Sequence, residues 1–63
     1  MEQDTILRRI VRLMGAGLAV GALAQAAGVR PLDVMGVLGD EPTTERVLGK
    51  LARTLDRFEA VRL

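Results

Sequence analysis

A chain of 63 residues is the size of one small domain, which buries only about 60% of its unfolded surface and so has a thin stability margin that self-association would widen. It has no cysteine and no histidine, which excludes a disulfide framework, a thiol nucleophile, an imidazole base and the zinc patterns built from those residues. Asp4, Asp33, Asp40, Glu41, Glu45, Asp56 and Glu59 are scattered among polar and basic positions, so no catalytic carboxylate pair is expected, and neither an enzyme nor a bound cofactor or metal.

Hydrophobic residues make up 49% of the chain and aromatic ones 2%, the lone Phe58. The core must therefore be aliphatic, and the base stacking of single-strand binders is excluded. Net charge is +1; four arginines against Glu2 and Asp4 leave residues 1–30 at +2, and five basic against six acidic residues leave 31–63 at −1. Such a balance attracts nucleic acid only weakly. Residues 13–29 carry no charge, but they are rich in glycine and alanine and include Gln25, so they are read as domain and not as a membrane span. The acidic start is unlike a signal peptide, and with no cysteine in the chain a cytoplasmic location is expected.

Four helices are expected in one domain, 1–63. The first, capped by Asp4 or Thr5, runs to about Met14 with Ile6, Ile10, Leu13 and Met14 on one stripe, Leu7 and Val11 beside it, and Arg8, Arg9 and Arg12 on the other face. Gly15 and Gly17 end it. A short alanine-rich helix follows over about 19–27, closed by Gly28. Pro31, with no amide hydrogen and a preset φ, opens a third helix over about 31–38, which Gly39 stops. Thr43 or Thr44 caps a fourth, with Glu45 in its first turn; Val47, Leu48, Leu51, Leu55 and Phe58 keep one apolar stripe to about Val61. No β-alternation is present, and the fold class is all-α.

Residues 18–55, "LAVGALAQAAGVRPLDVMGVLGDEPTTERVLGKLARTL", resemble the Xre/Cro-like helix-turn-helix family of phage and bacterial repressors. In "LAQAAGV", Leu23 matches the core leucine, Ala24 the small residue at the helix contact, Gly28 the turn and Val29 the residue after it. Val34, Val37 and Leu38 match the buried side of the recognition helix, and "ERVLGKLARTL" the family's fourth helix. The resemblance implies a small four-helix DNA-binding domain with a long last helix. A tight turn needs a residue without a Cβ clash and a helix crossing needs a small one, which gives the matches a physical basis.

The departures fall on functional positions. Where the family opens its second helix with a polar cap and a phosphate-contacting glutamine, this chain has Ala19 and Val20. At about 100° per residue, Val34, Val37 and Leu38 turn Leu32, Met35 and Gly36 outward, with Asp33 at the edge. None of these can make a bidentate contact to guanine or adenine. Phosphate contacts are expected at Arg30, at the start of the third helix, and at Arg46 and Lys50, on a basic row of the fourth helix that continues through Arg53 and Arg57, with Glu45, Asp56 and Glu59 near enough to pair locally. Two functions are open: a transcriptional regulator that binds duplex DNA through Arg30, Leu32, Met35, Arg46 and Lys50, or a degenerate helix-turn-helix without DNA binding. The second would dock a protein regulator on Val20, Leu32, Met35 and Gly36, as an antiactivator or antirepressor does. A homodimer is expected in either case, closed over Leu55, Phe58, Val61 and Leu63.

Overall fold

Helix-forming periodicity dominates the chain. The computed structural model, which describes residues 2–61, has four helices and, among those residues, no strand: α1 (Gln3–Gly15), α2 (Val20–Ala27), α3 (Pro31–Leu38) and α4 (Glu45–Val61). α1 and α2 each pack against both α3 and α4. Into the space between them go Ile6, Ile10 and Leu13 from α1, Leu23 and Ala24 from α2, Val34 and Val37 from α3, and Leu48, Leu51, Ala52 and Leu55 from α4. Full burial of each larger aliphatic side chain contributes roughly 1.5–3 kcal/mol.

α1 and α4 run side by side in the same direction. The Gln3 amide donates to the Glu41 carbonyl just ahead of α4, the Arg9 guanidinium reaches Asp56 and Glu59, and Leu13 shares a groove with Phe58 and Val61. Arg9 is therefore not on the outer face expected of it. Its side chain, 18% exposed, lies along α4, with Nη2 2.5 Å from Asp56 Oδ1 and 3.0 Å from Glu59 Oε1. The hydrogen bond to Glu59 is the main reason its pKa is raised, and the one to Asp56 adds to it. Val11, 54% exposed, and Met14 lie off the buried stripe, because α1 presents only a narrow Ile6–Ile10–Leu13 seam to its neighbours.

Helix starts depart from expectation where a longer helix was available. α1 begins one residue before Asp4, with Glu2 at the cap position and no side-chain cap bond; Asp4 instead sits in the first turn and pairs with Arg8 at 3.1 Å. Thr44 does cap α4, its Oγ1 accepting the Val47 N–H at 3.2 Å.

The three helix ends before a turn share one device. After α1, the Leu18 N–H bonds to the Leu13 carbonyl and the Gly17 N–H to that of Met14, both at 3.0 Å, with Gly17 at φ +111°. After α2, the Val29 N–H bonds to Ala24 and the Gly28 N–H to Gln25, with Gly28 at φ +72°. After α3, the Glu41 N–H bonds to Gly36 and the Asp40 N–H to Val37. Each pair satisfies carbonyls that the helix end would leave open, and each needs one left-handed residue. In the third case that residue is Asp40, at φ +60°, and not Gly39, which stays at φ −84°.

Candidate nucleic-acid interface

The link between α2 and α3 is three residues long, and each has a defined task. Gly28 makes the left-handed reversal, Val29 packs against the core, and Arg30, extended at φ −81° and ψ 150°, stands at the cap position of α3. Pro31 follows as the first helical residue, where a missing N–H costs nothing. Asp33 then folds back: Oδ2 accepts the Arg30 backbone N–H at 3.1 Å and Oδ1 the Arg30 guanidinium at 3.4 Å. These bonds, backbone first, hold the Asp33 carboxyl below its ordinary value, and the charges of Arg30 and Lys50 act in the same sense. The start of α3 thus carries its own anion, and Arg30 is not an unengaged cation.

Burial of Val34 and Val37 fixes the roll of α3. Leu32 is left 70% exposed and Met35 56% exposed, with Pro31 also exposed and Gly36 half-buried. That outer side carries no side-chain hydrogen-bonding group. Val20, grouped with Leu32 and Met35 in the sequence, is instead half-buried and packed on the core. A helix of eight residues joined to α3 by a three-residue link has to turn its first residue inward to bury Leu23 and Ala24.

The basic row of α4 is brought to the same link. Lys50, Arg53 and Arg57 line an open cleft of about 450 Å³ together with Ala27, Thr54 and Asp56. Thr54 is buried, and its hydroxyl donates to the Lys50 carbonyl at 2.9 Å. Its oxygen accepts Arg57 Nη2 at 3.4 Å, and the same nitrogen lies 3.4 Å from the Ala26 carbonyl, so Arg57 is steadied over the carboxyl end of α2. Among the described residues Arg46, Lys50, Arg53 and Arg57 form no ion pair with a carboxylate. The local pairing expected for Asp56 and Glu59 does not form within α4, since both carboxylates go to Arg9 on α1. Arg46, one turn before Lys50, is exposed.

Sequence reasoning named Arg30, Arg46 and Lys50 for phosphate contact. Of these, only Lys50 lines the cleft. The spacing of Arg53 and Arg57, three and seven residues after Lys50, puts all three on one helix face and is the signal in the sequence for this cleft. At the far end of α4, Leu13, Leu18, Phe58 and Val61 line an apolar groove of about 230 Å³. Val61 is 84% exposed, but Leu55, expected on this dimer-forming extension, is fully buried by α4's own neighbours; Leu63 lies outside the described residues. Among the described residues no three or more carboxylates gather as a metal site, and no helix is long and apolar enough to cross a membrane. In comparisons with protein-family models, with curated proteins and with solved structures, nothing matches the chain.

Proposed function

We propose that the chain is a small transcriptional regulator of the Xre/Cro-like helix-turn-helix type that binds duplex DNA. The observation that carries this reading is the α2–α3 unit: a left-handed Gly28 reverses the chain, Val34 and Val37 pin one side of α3 in the core, and the other side stands uncovered. Such a helix is free to lie in a major groove, with phosphates held by cations at its flanks. In this reading the phosphate contacts fall to Arg30, which must share its guanidinium with Asp33, and to Lys50 and Arg46. Leu32 and Met35 can touch thymine methyl groups but cannot read guanine or adenine by hydrogen bonding, so discrimination between sequences is small and affinity comes from the backbone.

Titration of a labelled 20-base-pair mixed-sequence duplex, followed by anisotropy between 50 and 200 mM salt, tests the proposal. Each neutralised phosphate contributes about −0.9 to the slope of log K against log salt, so three contacts weaken binding by about 40-fold across that range. No binding at 50 mM, or binding indifferent to salt, refutes it.

A second reading has its own observation, the exposed Leu32 and Met35 on one side of α3. A degenerate helix-turn-helix would use that apolar side to dock a protein regulator. Leu32→Glu would then break the complex by burying an unpaired charge, while Lys50→Ala would leave it intact.

A further inference from the structure

We infer that the cleft between α4 and the carboxyl end of α2, lined by Lys50, Arg53 and Arg57, holds a phosphodiester strand of the bound duplex, away from the exposed face of α3. The inference rests on the DNA-binding reading and says where on the protein that binding is anchored.

Three features support a polyanion at this place. Lys50, Arg53 and Arg57 converge on one open cleft, and none is paired to a carboxylate among the described residues. Asp56 is the one acid on the rim, and its carboxylate is already engaged by Arg9 from α1; the local field is therefore more positive than the chain's net charge of +1 suggests. Arg57 is steadied by the buried Thr54 and by the Ala26 carbonyl, so part of the entropy of ordering a long side chain is lost on folding and not on binding.

The chemistry favours a phosphate backbone over an anionic lipid surface. A helix that lies on a bilayer presents an apolar face beside its basic one, and on α4 the apolar face is taken up by the core, with Leu51 and Leu55 fully buried. The cleft includes Ala27, the last residue of α2 and the one before Gly28, where the link to α3 begins.

The test compares Lys50→Ala, Arg53→Ala, the double variant and Arg12→Ala in the duplex titration, with melting curves to verify folding. Arg12 is an exposed cation of α1 that does not line the cleft. Each cleft substitution should weaken binding roughly tenfold at 50 mM salt and flatten the salt slope by about 0.9, the double variant by about 1.8, and Arg12→Ala should change neither. If the wild type binds duplex with a steep salt slope but the double variant keeps that slope, the cleft assignment is overturned and the DNA-binding reading survives. If the wild type binds no duplex, both fall. Binding to phosphatidylglycerol vesicles that is stronger than binding to duplex, and lost in the double variant, also overturns the assignment, because the cleft would then face lipid.

Discussion

Replacing Gly28 and Gly49 by alanine should move stability in opposite directions, for reasons that can be separated in the structure. At both positions a new Cβ would meet no atom within 4 Å, so neither substitution is a packing change. What differs is the backbone. Gly28 sits at φ +72°, where an L-residue costs about 1–2 kcal/mol; restricting the unfolded chain returns about 0.4–1 kcal/mol of that. The net expectation is a loss of about 1 kcal/mol. Gly49 lies inside α4 without a positive φ, and alanine there should gain about 0.8–1 kcal/mol from helix propensity.

For a domain of this size 1 kcal/mol displaces Tm by roughly 4–8 °C. Thermal unfolding followed by circular dichroism at 222 nm should therefore place Gly28→Ala about 4–8 °C below the wild type and Gly49→Ala a similar distance above it. The contrast between the two variants, about 2 kcal/mol, is the quantity of interest. If Gly28→Ala melts at or above the wild type, the left-handed reversal between α2 and α3 is wrong, and with it the roll of α3 that exposes Leu32 and Met35.

Two further outcomes are expected. Because the folded-state pKa of Asp33 is lowered from its ordinary 3.8, its contribution to stability is present above that value and fades as pH falls through and below it; Asp33→Asn should melt lower than the wild type at pH 7, with the difference narrowing toward pH 3, and an unchanged difference at both pH values would refute the cap at Arg30. Sedimentation at micromolar concentration should show a homodimer closed over the exposed Val61 and the groove it lines with Leu13, Leu18 and Phe58, and a monomer that is unchanged on dilution removes that proposal.

Much of the fold was legible because glycine, proline and aliphatic spacing act locally. Pro31 and the Val34–Val37 pair set both the start and the roll of α3 within one short segment, and the observed helix begins and ends where the pattern placed it. The stop after α3 was legible only to within a residue. Gly39 and Asp40 are adjacent, and both residue types tolerate positive φ; which of them takes it depends on whether the last turn extends far enough for the Glu41 N–H to reach Gly36. That is a property of packing and not of either residue alone. The half-buried state of Val20 was illegible for a related reason. In an eight-residue, alanine-rich helix, several faces are apolar, and only the neighbours decide which is covered.

Charge was the least legible feature, and the reason bears on function. Read along α4, Asp56 and Glu59 alternate with Arg53 and Arg57 and suggest a helix that neutralises itself through pairs three and four residues apart, each contributing only a few tenths of a kcal/mol. The fold offers these two acids a better partner. Arg9 comes alongside from α1, is largely buried against α4, and takes both carboxylates at once. With Asp56, on the cleft rim, and Glu59 both engaged by Arg9, Lys50, Arg53 and Arg57 line the cleft without a carboxylate partner among the described residues. A nearly neutral chain thereby acquires a locally cationic surface without any basic run in its sequence. The same tertiary pairing that joins α1 to α4 thus sets the field that a phosphate backbone would meet.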